Sequence, residues 1–228
     1  MIRVKVCCIA SAEEARTAIR LGASALGLVS EMPSGPGPIE DAEIAAIARS
    51  VPPGVATFLL TARTEPDAIV EQQRAARVNT LQLVDRVPVP VLWELRQRLP
   101  GVALVQVVHV VDRSAIEEAE AVAPHVDAIL LDSGNPTAEV KELGGTGRTH
   151  DWEISREIVE SSTRPVYLAG GLGPDNVADA IARVRPFGLD LCSGIRREGR
   201  LDEDALVRFM DEVARGGAAA RTPDGVSP

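Results

Sequence analysis

Pro165-Val-Tyr-Leu-Ala-Gly-Gly-Leu-Gly173 decides how the chain is read, together with its echo Leu189-Asp-Leu-Cys-Ser-Gly194. Each is a short apolar strand running straight into a glycine-rich turn. A helical segment follows each turn, Pro174–Arg185 after the first and Leu201–Arg215 after the second. Glycine lets the backbone take φ > 0 and come close to a ligand. A helix start just beyond offers free N–H groups and a positive dipole end. Two such turns on adjacent strands describe a phosphate cradle, which in a (β/α)8 barrel sits after the last two strands.

Outward from this stretch, apolar runs and helical segments alternate along the chain. The strand candidates are Ile2–Ile9, Ala25–Val29, Val55–Leu60, Thr80–Val84, Ala103–Val110, Ala128–Leu131, Pro165–Ala169 and Leu189–Cys192. They are short and continuously apolar, as expected of a parallel sheet covered on both faces. Ser11-Ala-Glu-Glu14 and Ser114-Ala-Ile-Glu117 read as capping boxes that open helices. The other helices are predicted over Ile39–Arg49, Glu65–Arg77, Val91–Leu99 and Asp151–Ser161. Trp93 sits among leucines there and reads as core. Strict eightfold alternation within ~250 residues predicts an α/β fold of the (β/α)8 (TIM) barrel type. A doubly wound sheet would need a glycine-rich loop after the first strand, where Ala10-Ser11-Ala12 stands instead. Residues 1–215 are expected to form a single barrel domain and 216–228 a disordered tail.

The 228 residues are enough to bury a sizeable core. The first residues already read as a strand, so no signal peptide is expected. No apolar run is long enough to span a bilayer. The three cysteines lack the number and spacing of a disulfide framework or a zinc site. These features predict a cytoplasmic protein. The net charge of −9 argues against nucleic acid or an anionic membrane as partner.

Barrel chemistry sits at the C-terminal ends of the strands. Alternation along Lys5-Val6-Cys7-Cys8 points Lys5 and Cys7 into the barrel and leaves Cys8 with Val4 and Val6 on the helix side. A cysteine with its pKa lowered by a nearby Lys5 can act as base or nucleophile. It can equally be a small buried hydrophobe. Asp132 ends the sixth strand, as a general acid or as a cap. Gly144-Gly-Thr-Gly-Arg-Thr149 is a donor-rich loop able to close over an anion. The histidines do not cluster, and no metal site is expected; His150 belongs to that loop.

These residues, taken in order, resemble the phosphoribosylanthranilate isomerase family. Its Lys-Ile-Cys-Gly-Ile motif is matched by Lys5–Ile9 and its Leu-Leu-Asp by Leu130–Asp132. Its Gly-Gly-Thr/Ser-Gly-x-x-Phe-Asp-Trp is matched by Gly144–Trp152, its Gly-Gly-Leu-x-Pro-Glu-Asn-Val by Gly170–Val177, and its Asp-Val-Ser-Ser-Gly-Val-Glu by Asp190–Arg196. The resemblance implies an Amadori rearrangement of a phosphoribosyl amine in tryptophan biosynthesis. By carry-over Asp132 is the general acid for ring opening and Cys7 the base at C2. Lys5, Gly145, Thr146, Gly147, Gly170, Gly171, Ser193 and Gly194 are expected to line the phosphorylated substrate. No cofactor is implied, because the imine nitrogen is the electron sink. A monomer or homodimer is expected.

Four departures stand out. The loop after the second strand, Pro33–Ile39, lacks the arginine that meets the anthranilate carboxylate in the family; Arg63 or Arg113 could replace it. Cys8 stands for a glycine, Asp85 follows the fourth strand, and Arg196 replaces an acidic residue. Two other readings share the retained residues. One is a paralogue acting on another phosphosugar amine. The other is a non-catalytic phosphosugar-binding barrel, which would require neither Cys7 nor Asp132.

Overall fold

A computed structural model describes residues 2–135, 138, 141–143 and 147–219. Eight parallel strands close into one barrel in sequence order: β1 Arg3–Val6, β2 Ala25–Val29, β3 Ala56–Thr61, β4 Thr80–Leu83, β5 Ala103–His109, β6 Ala128–Asp132, β7 Val166–Leu168 and β8 Gly188–Leu191. The helices between and after them are α1 Ala12–Arg20, α2 Asp41–Ser50, α3 Pro66–Ala76, α4 Val89–Arg98, α5 Ser114–Val122, α6 Trp152–Ser161, α7 Val177–Val184 and α8 Glu203–Ala219. The alternation read from the sequence is the architecture that forms.

The strands are apolar along their whole length because both of their faces are covered. Val4, Val6, Leu26, Leu59, Leu81 and Leu131 pack outward under the helices. Phe58, Leu60, Val105, Val107, Leu130 and Tyr167 fill the interior, with Phe58 and Tyr167 edge to face at 6.1 Å between ring centres. The barrel closes where β1 meets β8, with Lys5 beside Asp190 and Val6 beside Leu191.

The local chemistry explains most helix starts and corrects some expectations. Ser11 caps α1 and accepts from Glu14 N; Asp151 does the same for α6 from Glu153 N. Ser114 is instead the first helical residue of α5, and its N–H donates to the Asp112 carboxylate at 2.8 Å. Trp93 is 64% exposed, because α4 turns Leu92 and Leu95 inward. The second glycine turn leads into a 3₁₀ turn, Ser193–Ile195, and a small hairpin of β9 Arg196–Arg197 and β10 Arg200–Leu201 before α8 begins. α8 continues through Gly216 and Gly217 to Ala219, so residues 216–219, expected in a tail, are helical. Residues 220–228 lie outside the described part. Among the described residues no helix is long and apolar enough to cross a membrane.

Candidate active site

A cavity open to solvent occupies the C-terminal mouth of the barrel. Cys7 at the end of β1 and Asp132 at the end of β6 both line it. Strand alternation carries Cys7 inward, and its N–H is fixed to Leu191 O at 2.8 Å.

Lys5 lies one inward step below Cys7 and is fully buried. Its Nζ is 2.8 Å from Asp190 Oδ1 and 5.3 Å from the Phe58 ring centre. Burial works against its charge, but the Asp190 carboxylate together with the two neighbouring cysteines holds Lys5 above the ordinary lysine range. Expected at the substrate, Lys5 is instead placed beneath the cavity floor, with its charge committed to Asp190. A methyl group added at Gly27 would meet Cys7 Sγ at 2.7 Å and Lys5 Nζ at 3.0 Å, so only glycine lets the two heads converge there.

The two candidate proton-transfer groups are pushed toward each other. A hydrogen bond from the Cys8 side chain lowers the Cys7 thiol pKa; burial opposes this, and the Lys5 charge lowers it further. Burial raises the Asp132 carboxyl above the usual carboxylate range, against a hydrogen bond from Ser133 N at 2.7 Å. Shifts in these directions favour a thiolate base beside a protonated carboxylic acid.

Cys8 does not continue the strand. Its φ is 61°, and the resulting turn places it on the cavity wall beside Cys192, not under the helices. Side-chain hydrogen bonds to Cys192 and Cys7, with burial, push its thiol far up, so Cys8 stays a neutral donor. Arg196 reaches in from β9 and fixes this turn. Its guanidinium donates to Cys8 O and, at 3.4 Å, to Cys7 O, and pairs with Glu14 at 3.0 Å. Glu14 also accepts from Ala10 N and Leu201 N, both at 3.0 Å. Burial resists the Glu14 charge, but the Arg196 and backbone hydrogen bonds hold its carboxyl below the usual range.

The glycine turns after β7 and β8 come together beside the β1 end of the cavity. Gly147, Gly170, Gly171 and Ser193 line the cavity. Gly171 has φ 61°, and a Cβ there would lie 2.7 Å from the Arg148 carbonyl carbon. Gly194 packs its backbone against Leu172 and Gly173 instead of lining the cavity. Asn176, the Asn of the matched motif but not among the expected site residues, shapes the first turn by accepting from Gly173 N and donating to Gly171 O, both at 2.9 Å. Exposed backbone amides in such turns suit an anion. Gly145 and Thr146 lie outside the described residues. His150 packs its ring against Ser155 Oγ at 2.7 Å, and burial lowers its pKa to about 4.

The remaining wall is apolar, built from Val29, Met32, Leu60, Val84 and Leu143. Above it Ser34 Oγ donates to Lys141 O at 2.6 Å, joining the loops after β2 and β6. Arg63 and Arg113, the expected substitutes for a missing cation, lie elsewhere. Arg63 donates to Ala68 O at 3.3 Å, and Arg113 forms a two-pronged pair with Glu157.

The matching family model and the curated relatives of the chain point to one family. The model of the N-(5'-phosphoribosyl)anthranilate (PRA) isomerase family matches residues 4–212. The N-(5'-phosphoribosyl)anthranilate isomerase of Methanocella arvoryzae is 37% identical over 214 residues, 93% of this chain and 98% of its own. A solved phosphoribosyl anthranilate isomerase in complex with reduced 1-(o-carboxyphenylamino)-1-deoxyribulose 5-phosphate superposes with a TM-score of 0.79 at 27% identity, covering 94% of this chain and all of its own. Monomers generated from the dimeric enzyme of Thermotoga maritima give a TM-score of 0.78 at 26% identity, with the same coverage.

Proposed function

The chain belongs to the N-(5'-phosphoribosyl)anthranilate isomerase family, and from that premise we propose how its own residues carry the reaction. The protein is an isomerase, an intramolecular oxidoreductase of tryptophan biosynthesis. It rearranges N-(5'-phosphoribosyl)anthranilate to 1-(o-carboxyphenylamino)-1-deoxyribulose 5-phosphate. One observation supports the residue roles above the others: Cys7 and Asp132 line a single cavity between the glycine turns and an apolar wall.

In the proposed sequence, protonated Asp132 gives its proton to the furanose oxygen. The C1–O bond breaks, and the nitrogen lone pair forms a C=N bond. Cys7 thiolate then takes the proton from C2. The C2–H pair becomes a C1=C2 bond, and the C=N pair returns to nitrogen, leaving an enolamine. Protonation at C1 and loss of the enol proton give the aminoketose. A proton passing from Cys7 back to Asp132 through solvent resets the site. C1 is reduced and C2 oxidised within one molecule, so the steps balance without an external electron carrier. Lys5 acts from below, favouring the Cys7 thiolate electrostatically.

The phosphate seats against Gly147, Gly170, Gly171 and Ser193. The aromatic aglycone faces Val29, Met32, Leu60, Val84 and Leu143, where apolar burial is worth about 25 cal/mol per Å². The partner is thus a phosphorylated small molecule, and the chain works in the cytoplasm as a monomer or homodimer. Neither nucleic acid nor a membrane is a partner, in keeping with the charge of −9. Growth of a tryptophan-requiring strain lacking this isomerase, restored by the expressed protein, tests the function. Soluble expression without growth would favour the paralogue.

A further inference from the structure

Most buried polar atoms in this barrel have partners, as the cost of leaving one unmatched requires. Gln82 Oε1 on β4 has none, and the residue is 3% exposed. Other buried side-chain atoms also lack partners, but Gln82 is the only one of those residues, among the described ones, that lines the central cavity. Gln106, next to it in the barrel wall on β5, also has an unmatched Oε1, but its amide is turned away from the cavity. Its Nε2 donates to Leu83 O, Asp85 O and Val107 O at 2.9–3.1 Å, and it lies outside the cavity lining. Gln82 therefore lines the same space as Cys7 and Asp132 and carries a buried, unmatched acceptor.

We propose that Gln82 is a substrate-contacting, specificity-determining residue that hydrogen-bonds a hydroxyl of the sugar. This rests on the function proposed above. A primary amide offers one acceptor and two donors on neighbouring atoms. A hydroxyl both donates and accepts, so it satisfies Oε1 and can take a bond from Nε2. A carboxylate only accepts; it would leave Oε1 unmatched and set two oxygens against each other. Gln82 therefore does not stand in for the arginine absent from Pro33–Ile39. It reads a neutral hydroxyl of the sugar. A site built to bond a hydroxyl rejects ligands lacking one, because its own polar atom is then stranded.

The test uses the full chain, with Gln82→Met and Gln82→Leu, and three probes: the reduced aminoketose phosphate, inorganic phosphate and anthranilate. Affinity for the reduced aminoketose phosphate is expected to fall about 10- to 100-fold in both variants, the scale of one stranded buried partner. Affinities for inorganic phosphate and anthranilate, which carry no sugar hydroxyl, are expected to stay unchanged. The ligand-free variants are expected to unfold at the wild-type temperature or above it, because an unmatched amide is removed. Equal affinity for the aminoketose phosphate in variant and wild type would overturn the proposal, and so would equal losses for all three probes. A wild type that binds phosphate but not the aminoketose phosphate would refute the underlying function, a distinct outcome, and this inference with it.

Discussion

Lys5 Nζ and Asp190 Oδ1 lie 2.8 Å apart inside the barrel, where β1 closes against β8. The pair ties the first strand to the last and sets a positive charge under Cys7. Its opposing charge also raises Cys7, but less than Lys5 lowers it.

Lys5→Met leaves Asp190 buried without a partner, so the variant is expected to lose about 3–5 kcal/mol of stability. The double variant Lys5→Met/Asp190→Leu is expected to recover much of that loss. In both, the pH midpoint for alkylation of Cys7, followed by mass spectrometry, is expected to move up. A midpoint that stays in place would remove Lys5 from the account of the thiolate.

The proposed mechanism needs Cys7 deprotonated and Asp132 protonated. Activity is lost as pH falls through the Cys7 pKa and as pH rises through that of Asp132, giving a bell-shaped kcat/KM profile. Asp132→Asn is expected to lower kcat by about 10²-fold or more and to abolish one limb of the bell. A profile with both limbs intact would assign the acid elsewhere.

Arg196 clamps the two carbonyls that flank the left-handed Cys8. Arg196→Met is expected to cut kcat about tenfold through misplacement of Cys7, with affinity for inorganic phosphate unchanged. Steady-state kinetics beside phosphate calorimetry checks this; a loss of phosphate binding would show that the hairpin supports the cradle instead.

His150 is held neutral by burial, with its pKa at about 4 against an ordinary 6.5. Its contribution to stability is therefore present above pH ~6.5 and is lost as pH falls toward ~4, because only the unfolded chain takes up the proton. His150→Phe is expected to flatten the unfolding free energy across that window. Denaturant titrations at a series of pH values provide the measurement, and an unchanged slope would contradict it.

The barrel was legible because its signal is repeated: short apolar runs, each followed by an amphipathic helix, from Arg3 to Ala219. The inward aim of Lys5 and Cys7 followed from alternation alone. Alternation does not report depth. That Lys5 lies below the cavity is set by its partner Asp190, 185 residues away. Alternation also fails where a strand ends, and the left-handed turn at Cys8 reverses the side expected for it. The same inward alternation, applied to Leu189–Cys192, would have flagged Asp190 and Cys192. Asn176 and Arg196 lie in matched motifs, but their roles, like that of Gln82, come from contacts with loops or with the cavity that a motif does not report.

The proposed roles of Cys7 as base and Asp132 as acid in isomerising N-(5'-phosphoribosyl)anthranilate are read out by turnover itself. The most direct measurement is steady-state turnover of that compound by the purified wild type, Cys7→Ala and Asp132→Asn. The account expects wild-type conversion to the aminoketose phosphate and a fall in kcat of about 10²-fold or more in each variant. Wild-type turnover that survives in either variant would contradict it.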